Sequence, residues 1–182
     1  GNGKDDDGNG YIDDRYGWDF LDNDENPNPV PNSGNDNDEL VHGTHIAGVV
    51  AADTNNGLGV AGVGWNNTIM AIRTLDSEGI GTIADIADAI YYAVDNGAQI
   101  INLSLGTETD TRVLEDAVEY AEDHDVVVVA AAGNSGHSVN LYPFYTACYD
   151  NVIGVAATNR SDTRASLSNY GSDCVDISAP GT

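Results

Sequence analysis

An α/β fold, three layers with a mostly parallel sheet and helices on both faces, is predicted by three observations. Short apolar runs alternate with amphipathic helical stretches from residue 69 onward. The run from Val126 to Ala131 is apolar without interruption, as in a strand covered on both faces. The stretches between strands have the length of right-handed crossovers, which make neighbouring strands parallel. At 182 residues a single domain is expected. It divides by character into acidic loops over 1–41 and an α/β core over 42–182.

Each element has its own local warrant. Residues 1–41 are rich in Asp, Asn, Gly and Pro and read as loops, with one short ordered piece over 16–21. His42 to Ala52 is small and apolar enough for a buried helix beginning at His42. Ile69 to Leu75 reads as a strand. Thr82 caps the next helix with Asp85 in the capping-box position, and Ile83, Ile86, Ala87, Ile90 and Val94 form its buried stripe. Gly97 is placed to end it. Ile100 to Leu105 is a strand, and Val113, Leu114, Ala117, Val118 and Ala121 stripe a further helix. Val126–Ala131, Val152–Ala157 and Val175–Ser178 are the remaining strands.

The net charge of -24, from 30 acidic and 6 basic residues, excludes nucleic acid and anionic membranes as expected partners. The excess of acid fits calcium sites, a salt-adapted surface or simply solvated loops. No run of about 18 apolar residues is present to span a membrane. No signal peptide opens the chain, so residue 1 is not expected to be the natural start. Cys148 and Cys174 are either a disulfide of a secreted protein or two buried thiols.

Ligands in parallel sheets sit at the carboxyl ends of strands. Gly106 and Asn134 fall just past such ends. His42-Gly43-Thr44-His45-Ile46-Ala47-Gly48 and Ala130-Ala131-Ala132-Gly133-Asn134-Ser135-Gly136 lie about ninety residues apart. Together they resemble two signature segments of the subtilisin-like serine proteases, nearest to the thermitase-like branch. The resemblance implies a general base at His42, kept neutral at a helix start, and an oxyanion donor at Asn134. His45 reads as structural support, His124 as a helix-end cation and His137 as a loop residue.

The same resemblance makes Ser104, Leu105 and Gly106 one wall of the substrate pocket and Ala131, Ala132 and Gly133 the other. Small residues there imply room for a sizeable side chain. Gly79, Ile80 and Gly81 match the edge that pairs with substrate backbone, which implies broad specificity. The family's aspartate and serine segments have no counterpart in these residues, so the chain is expected to be the middle of a peptidase domain, incomplete at both ends. Alone it is expected to be inactive.

Calcium is the expected cofactor. Asp5, Asp7, Asn9, Tyr11 and Asp13 follow the alternation of an EF-hand-type loop, with Tyr16 where the bidentate glutamate would fall. The resemblance adds ligands at Asp19, Asp22, Asp24, Asn26 and Asn28, and a second loop with Thr54, Asn56, Leu58 and Val60. Expected partners are a polypeptide substrate and a propeptide, and the expected state is a secreted monomer. The rival readings are a non-catalytic calcium-binding module that holds peptide and a pseudoprotease completed by another chain.

Overall fold

A computed structural model describes residues 1–30 and 38–182, with the backbone alone for 38–40. The stretch 31–37 of the predicted acidic loops lies outside the described residues. The chain divides into two compact units, 1–89 and 90–182.

In the first unit, β1 (Gly17–Asp19) pairs in parallel with β2 (Ala71–Arg73), Trp18 opposite Ile72 and Asp19 opposite Arg73. β1 is the ordered piece expected inside the acidic segment. β2 is the core of the strand expected over 69–75. Trp18 is buried, and the Tyr11 ring meets it edge-on at 5.0 Å and meets Phe20 at 5.8 Å. Three aromatics thus give a loop-rich segment something apolar to bury.

Helix α1 (Asp38–Ala51) begins four residues before His42. His42 is therefore one turn inside the helix, not at its start. The helix is also not buried as expected: Val41 and Val49 are half exposed, and Gly43, Ala47, Gly48 and Ala51 offer little side chain to pack. Its last carbonyls are satisfied by the returning loop. The N–H groups of Gly62, Val63 and Gly64 donate to Ala52, Val49 and Val50 at 3.0, 2.9 and 2.8 Å.

Helix α2 (Ile83–Asp95) has the caps that its sequence predicts. Thr82 Oγ1 accepts from the Asp85 N–H at 3.1 Å and donates to the Asp85 carboxylate at 2.7 Å. At the other end Gly97 adopts φ 82°, open to glycine without strain. Its N–H donates to Val94 and the next, from Ala98, to Ala93, which closes a Schellman motif.

In the second unit, β3 (Ile100–Leu103), β4 (Val127–Ala131), β5 (Val152–Thr158) and β6 (Ile177–Pro180) form one parallel sheet in that order. Helix α3 (Arg112–Asp123) buries Leu114, Ala117, Val118 and Ala121 and contacts β4. The sheet residues Ile101, Leu103, Val128 and Ala130 are buried, while Ile100 is 66% and Val127 44% exposed. The apolar run at 126–131 therefore alternates in burial where the sequence predicts cover on both faces. Val113, expected in the buried stripe of α3, is 53% exposed for the same geometric reason: it lies off the line of Leu114, Ala117 and Val118.

Cys148 and Cys174 form a disulfide across 26 residues, which settles their pairing. Closing such a loop contributes about 3.5 kcal/mol by restricting the unfolded chain.

Candidate active site

The second unit gathers three predicted site segments at the carboxyl ends of β3 and β4. The two strands are in parallel register, Leu103 opposite Ala130. Ser104–Gly106 and Ala131–Gly133 continue from them as two neighbouring walls. Ser104 Oγ accepts from the Asn102 side-chain amide at 2.8 Å. Beyond Gly106 the wall is held by residue 145: Tyr145 N donates to Thr107 O at 2.8 Å, and the Thr107 N–H donates back to Tyr145 O.

Asn134 leads the next loop and is exposed. That loop is fixed by a residue the sequence did not single out. Asn169, buried at 3% exposure, accepts from the N–H groups of Ser135 and His137 at 3.0 Å each. Its side-chain amide donates to Ala132 O and its backbone N–H to Gly133 O, both at 2.9 Å. Gly133 has φ 100°, and a Cβ there would lie 2.5 Å from the Asn169 amide nitrogen. Only glycine serves this crossing of backbone and clamp. Nothing in Ser168-Asn169-Tyr170-Gly171 distinguishes it from an ordinary turn before the contacts are known.

The first unit carries the other predicted site residues. His42 is exposed on α1, as is His45. Residues 76–80 form a tight turn: the Asp76 carboxylate accepts from Glu78 N at 2.8 Å and Ile80 N at 2.9 Å. The Ile80 and Glu78 N–H groups hold the Asp76 carboxyl below its usual range. Gly79 and Ile80 are exposed and Gly81 half-buried, so the predicted edge for backbone pairing is open to solvent. His124 ends α3, with Nδ1 2.8 Å from Tyr120 O, as expected of a helix-end residue. His137 sits in the clamped loop, its ring 5.5 Å from Tyr142.

The predicted calcium ligands are largely engaged with backbone. Asp5 accepts from Gly8 N and Gly10 N at 2.7 and 2.9 Å, and Asn9 Oδ1 from Tyr11 N at 2.8 Å. Asp7 accepts from Asn9 N at 3.2 Å, and Asp13 from Asn2 N and Gly3 N at 2.7 Å each. Among the described residues no group of three His, Cys, Asp or Glu side chains is placed to hold a metal ion.

Asp19 and Asp22 have a cation already. The Arg73 guanidinium reaches both, Asp22 at 2.7 Å, and Asp19 is 1% exposed. Burial opposes the Arg73 charge, but the hydrogen bonds it donates to Asp22 and Asp19, with their negative charges, outweigh it and raise the arginine above its usual pKa. Asp24 accepts from Asn26 N at 2.9 Å, and the Asn28 amide donates to Asn26 Oδ1. In the second predicted loop Asn56 Oδ1 accepts from Leu58 N at 2.9 Å, while Leu58 and Val60 are exposed. The sequence reading did not single out Arg73; the signal it passed over was an isolated cation in a strand among 30 acids, which needs a partner.

A parallel sheet with glycine-walled strand ends and a rigidly clamped asparagine loop defines an α/β protein whose candidate site lies at the carboxyl edge. Residues 7–182 match the model of the subtilase family, Peptidase_S8, and the chain belongs to that family. It is 52% identical to the thermophilic serine proteinase of Bacillus sp. strain AK1, over 91% of this chain and 38% of that protein. It is 47% identical to thermitase of Thermoactinomyces vulgaris, over 91% of this chain and 55% of that protein. A solved structure of proteases from Pseudoalteromonas arctica PAMC 21717 matches with a TM-score of 0.79 at 34% identity, covering 91% of this chain and 56% of that one. The chain thus spans between about a third and about a half of the length of these relatives.

Proposed function

We propose that these residues belong to a serine endopeptidase and supply two of its working groups: His42 as general base and Asn134 as oxyanion donor. Membership of the subtilase family supports the chemistry, and the observation that carries the site assignment is the clamp of Asn169 on the Asn134 loop. An oxyanion donor acts only if it is already aimed where charge develops. A buried asparagine that fixes the residues on both sides of Asn134 provides that rigidity.

In this reading His42 takes the proton of a serine hydroxyl as it attacks the peptide carbonyl, then returns it to the leaving amine. The Asn134 amide donates to the oxygen of the tetrahedral intermediate. Ser104–Gly106 and Ala131–Gly133 flank the substrate side chain, and Gly79–Gly81 pair with its backbone. This reading also requires a serine and an orienting aspartate, and the family's segments for them have no counterpart among residues 1–182. The 182 residues form part of one peptidase domain. We read the protein as secreted and monomeric, made with a propeptide; the Cys148–Cys174 disulfide supports an oxidising compartment. No described helix is long and apolar enough to cross a membrane.

Calcium is the proposed cofactor, at the loop of Asp5, Asp7, Asn9, Tyr11 and Asp13, near Asp19, Asp22, Asp24, Asn26 and Asn28, and in the loop of Thr54, Asn56, Leu58 and Val60. The hard oxygen donors of these loops suit that ion, which when bound supplies charge neutralisation and order. At Asp19 and Asp22 it would share the carboxylates with Arg73.

The test is labelling of the full-length protein with a serine-directed phosphonate, alongside hydrolysis of a fluorogenic peptide. Labelling and turnover that are both lost in His42→Ala are expected. His42→Ala keeping a tenth of the rate would contradict the base assignment.

A further inference from the structure

We infer that Phe144 sets the substrate class of this site: its ring occupies the crevice between the two glycine walls, so the residue before the cleaved bond is small, alanine or serine rather than leucine or phenylalanine. The inference rests on the peptidase reading above.

The register of β3 and β4 brings Gly106 and Gly133 to matching places, each three residues beyond the pair Leu103 and Ala130. A Cβ on Gly106 would lie 2.4 Å from Phe144 Cε1 and 2.9 Å from Cζ. A Cβ on Gly133 would lie 3.0 Å from Phe144 Cγ and 3.1 Å from Cδ1. One edge of the ring therefore faces Gly133 and the adjoining edge faces Gly106. The room that two missing side chains create is taken up by this chain's own phenyl group. Small wall residues led the sequence to imply space for a large substrate side chain; the ring that uses this space comes from a segment eleven residues after Gly133.

The backbone that carries the ring is tied on its C-terminal side. Tyr145 exchanges two hydrogen bonds with Thr107, and Thr146 Oγ1 donates to Leu105 O at 3.5 Å. Cys148 N donates to Phe144 O at 3.2 Å, and Cys148 is itself bonded to Cys174. Phe144 is thereby fixed to the wall after β3 and, through the disulfide, to the segment before β6. Its side chain is only half-buried, so the ring borders space that a ligand can reach.

Close-packed sites discriminate strongly by size: one methylene more or less is worth about 10–200-fold in kcat/KM. A phenyl ring standing where a substrate side chain would lie should discriminate at least tenfold between small and large residues. Ligands that are small or lack a side chain still pass.

The experiment measures kcat/KM of the full-length protein on p-nitroanilides that share one peptide and vary the last residue through Ala, Ser, Leu and Phe. Concentrations are set by phosphonate labelling, so that misfolded enzyme is not counted. The wild type is expected to prefer Ala or Ser over Leu and Phe by about tenfold or more, and Phe144→Gly to shift that ratio toward Phe by about tenfold or more. Phe144→Leu, which keeps apolar contact but shortens the ring, should shift it partway. A wild type that cleaves after Phe as fast as after Ala overturns the inference even if neither variant folds. An unchanged ratio in a labelled, active Phe144→Gly overturns it as well. Absence of both labelling and hydrolysis in the wild type would instead remove the peptidase reading and this inference with it.

Discussion

The side-chain amide of Asn169 donates to the backbone carbonyl of Ala132 at 2.9 Å, two residues before Asn134. With the two N–H groups it accepts from Ser135 and His137, it crosses the loop like a rivet. Rigidity at Asn134 thus comes from a residue 35 positions later in the chain.

Asn169→Ala is expected to lower stability by about 2–3 kcal/mol, since each buried group left without a partner costs about 1–3 kcal/mol. In active full-length enzyme kcat should fall while KM stays near its original value. Asn169→Asp keeps the acceptor for Ser135 and His137 but loses the donor to Ala132, so it should retain part of the function. Thermal melts and steady-state kinetics check this. A melting temperature and kcat unchanged in Asn169→Ala would contradict the clamp.

Arg73→Ala should destabilise the first unit by about 3–5 kcal/mol, because it leaves the buried Asp19 charge without its counter-cation, held only by the Leu21 and Asp22 N–H groups. Asp22 is 52% exposed on its side chain. Asp22→Asn should therefore cost about 1 kcal/mol or less, in the range of exposed ion pairs. Urea denaturation of both variants gives the comparison. Equal effects would show that Asp19 is not the partner that matters.

The N-terminal loop should respond to both pH and calcium. The Gly10 N–H, helped by Gly8 and others, holds the Asp5 carboxyl below its ordinary value of 3.8 although desolvation opposes it; Asn2 N and Gly3 N do the same for Asp13. A carboxyl lowered in the folded state stabilises it above the unfolded pKa, and that contribution is lost as pH falls through the folded value. Amide protection at Gly8, Gly10, Asn2 and Gly3 should thus hold at neutral pH and fade below pH 3.8. At neutral pH calcium should strengthen the same protection and chelator should reverse it. Identical exchange with calcium and with chelator would contradict metal binding in this loop.

The parts of the fold that were legible in the sequence are those specified by local chemistry. Thr82, Asp85 and Gly97 mark both ends of α2 because caps and left-handed turns are built from neighbouring residues. The strands from Ile100 onward follow from apolar runs bounded by polar turns. The beginning of α1 was not legible: His42–Ala52 is apolar, but Asp38 and Glu39 extend the helix by one turn, so the expected placing of His42 at its positive end does not hold. Long-range partners were least visible. Asn169 and Arg73 acquire their roles only from residues 32–37 and 51–54 positions away. Phe144 likewise reads as one aromatic in a loop until Gly106 and Gly133 are placed on either side of its ring.

The central claim is that Asn134, on its clamped loop, stabilises a developing oxyanion. The most direct measurement is kcat and KM of full-length Asn134→Ala on one peptide substrate. A fall in kcat of about 100-fold or more with KM little changed is expected, a magnitude known for such a donor in subtilisin itself. An Asn134→Ala enzyme that turns over within a few-fold of wild type, or whose loss lies in KM alone, would contradict the claim.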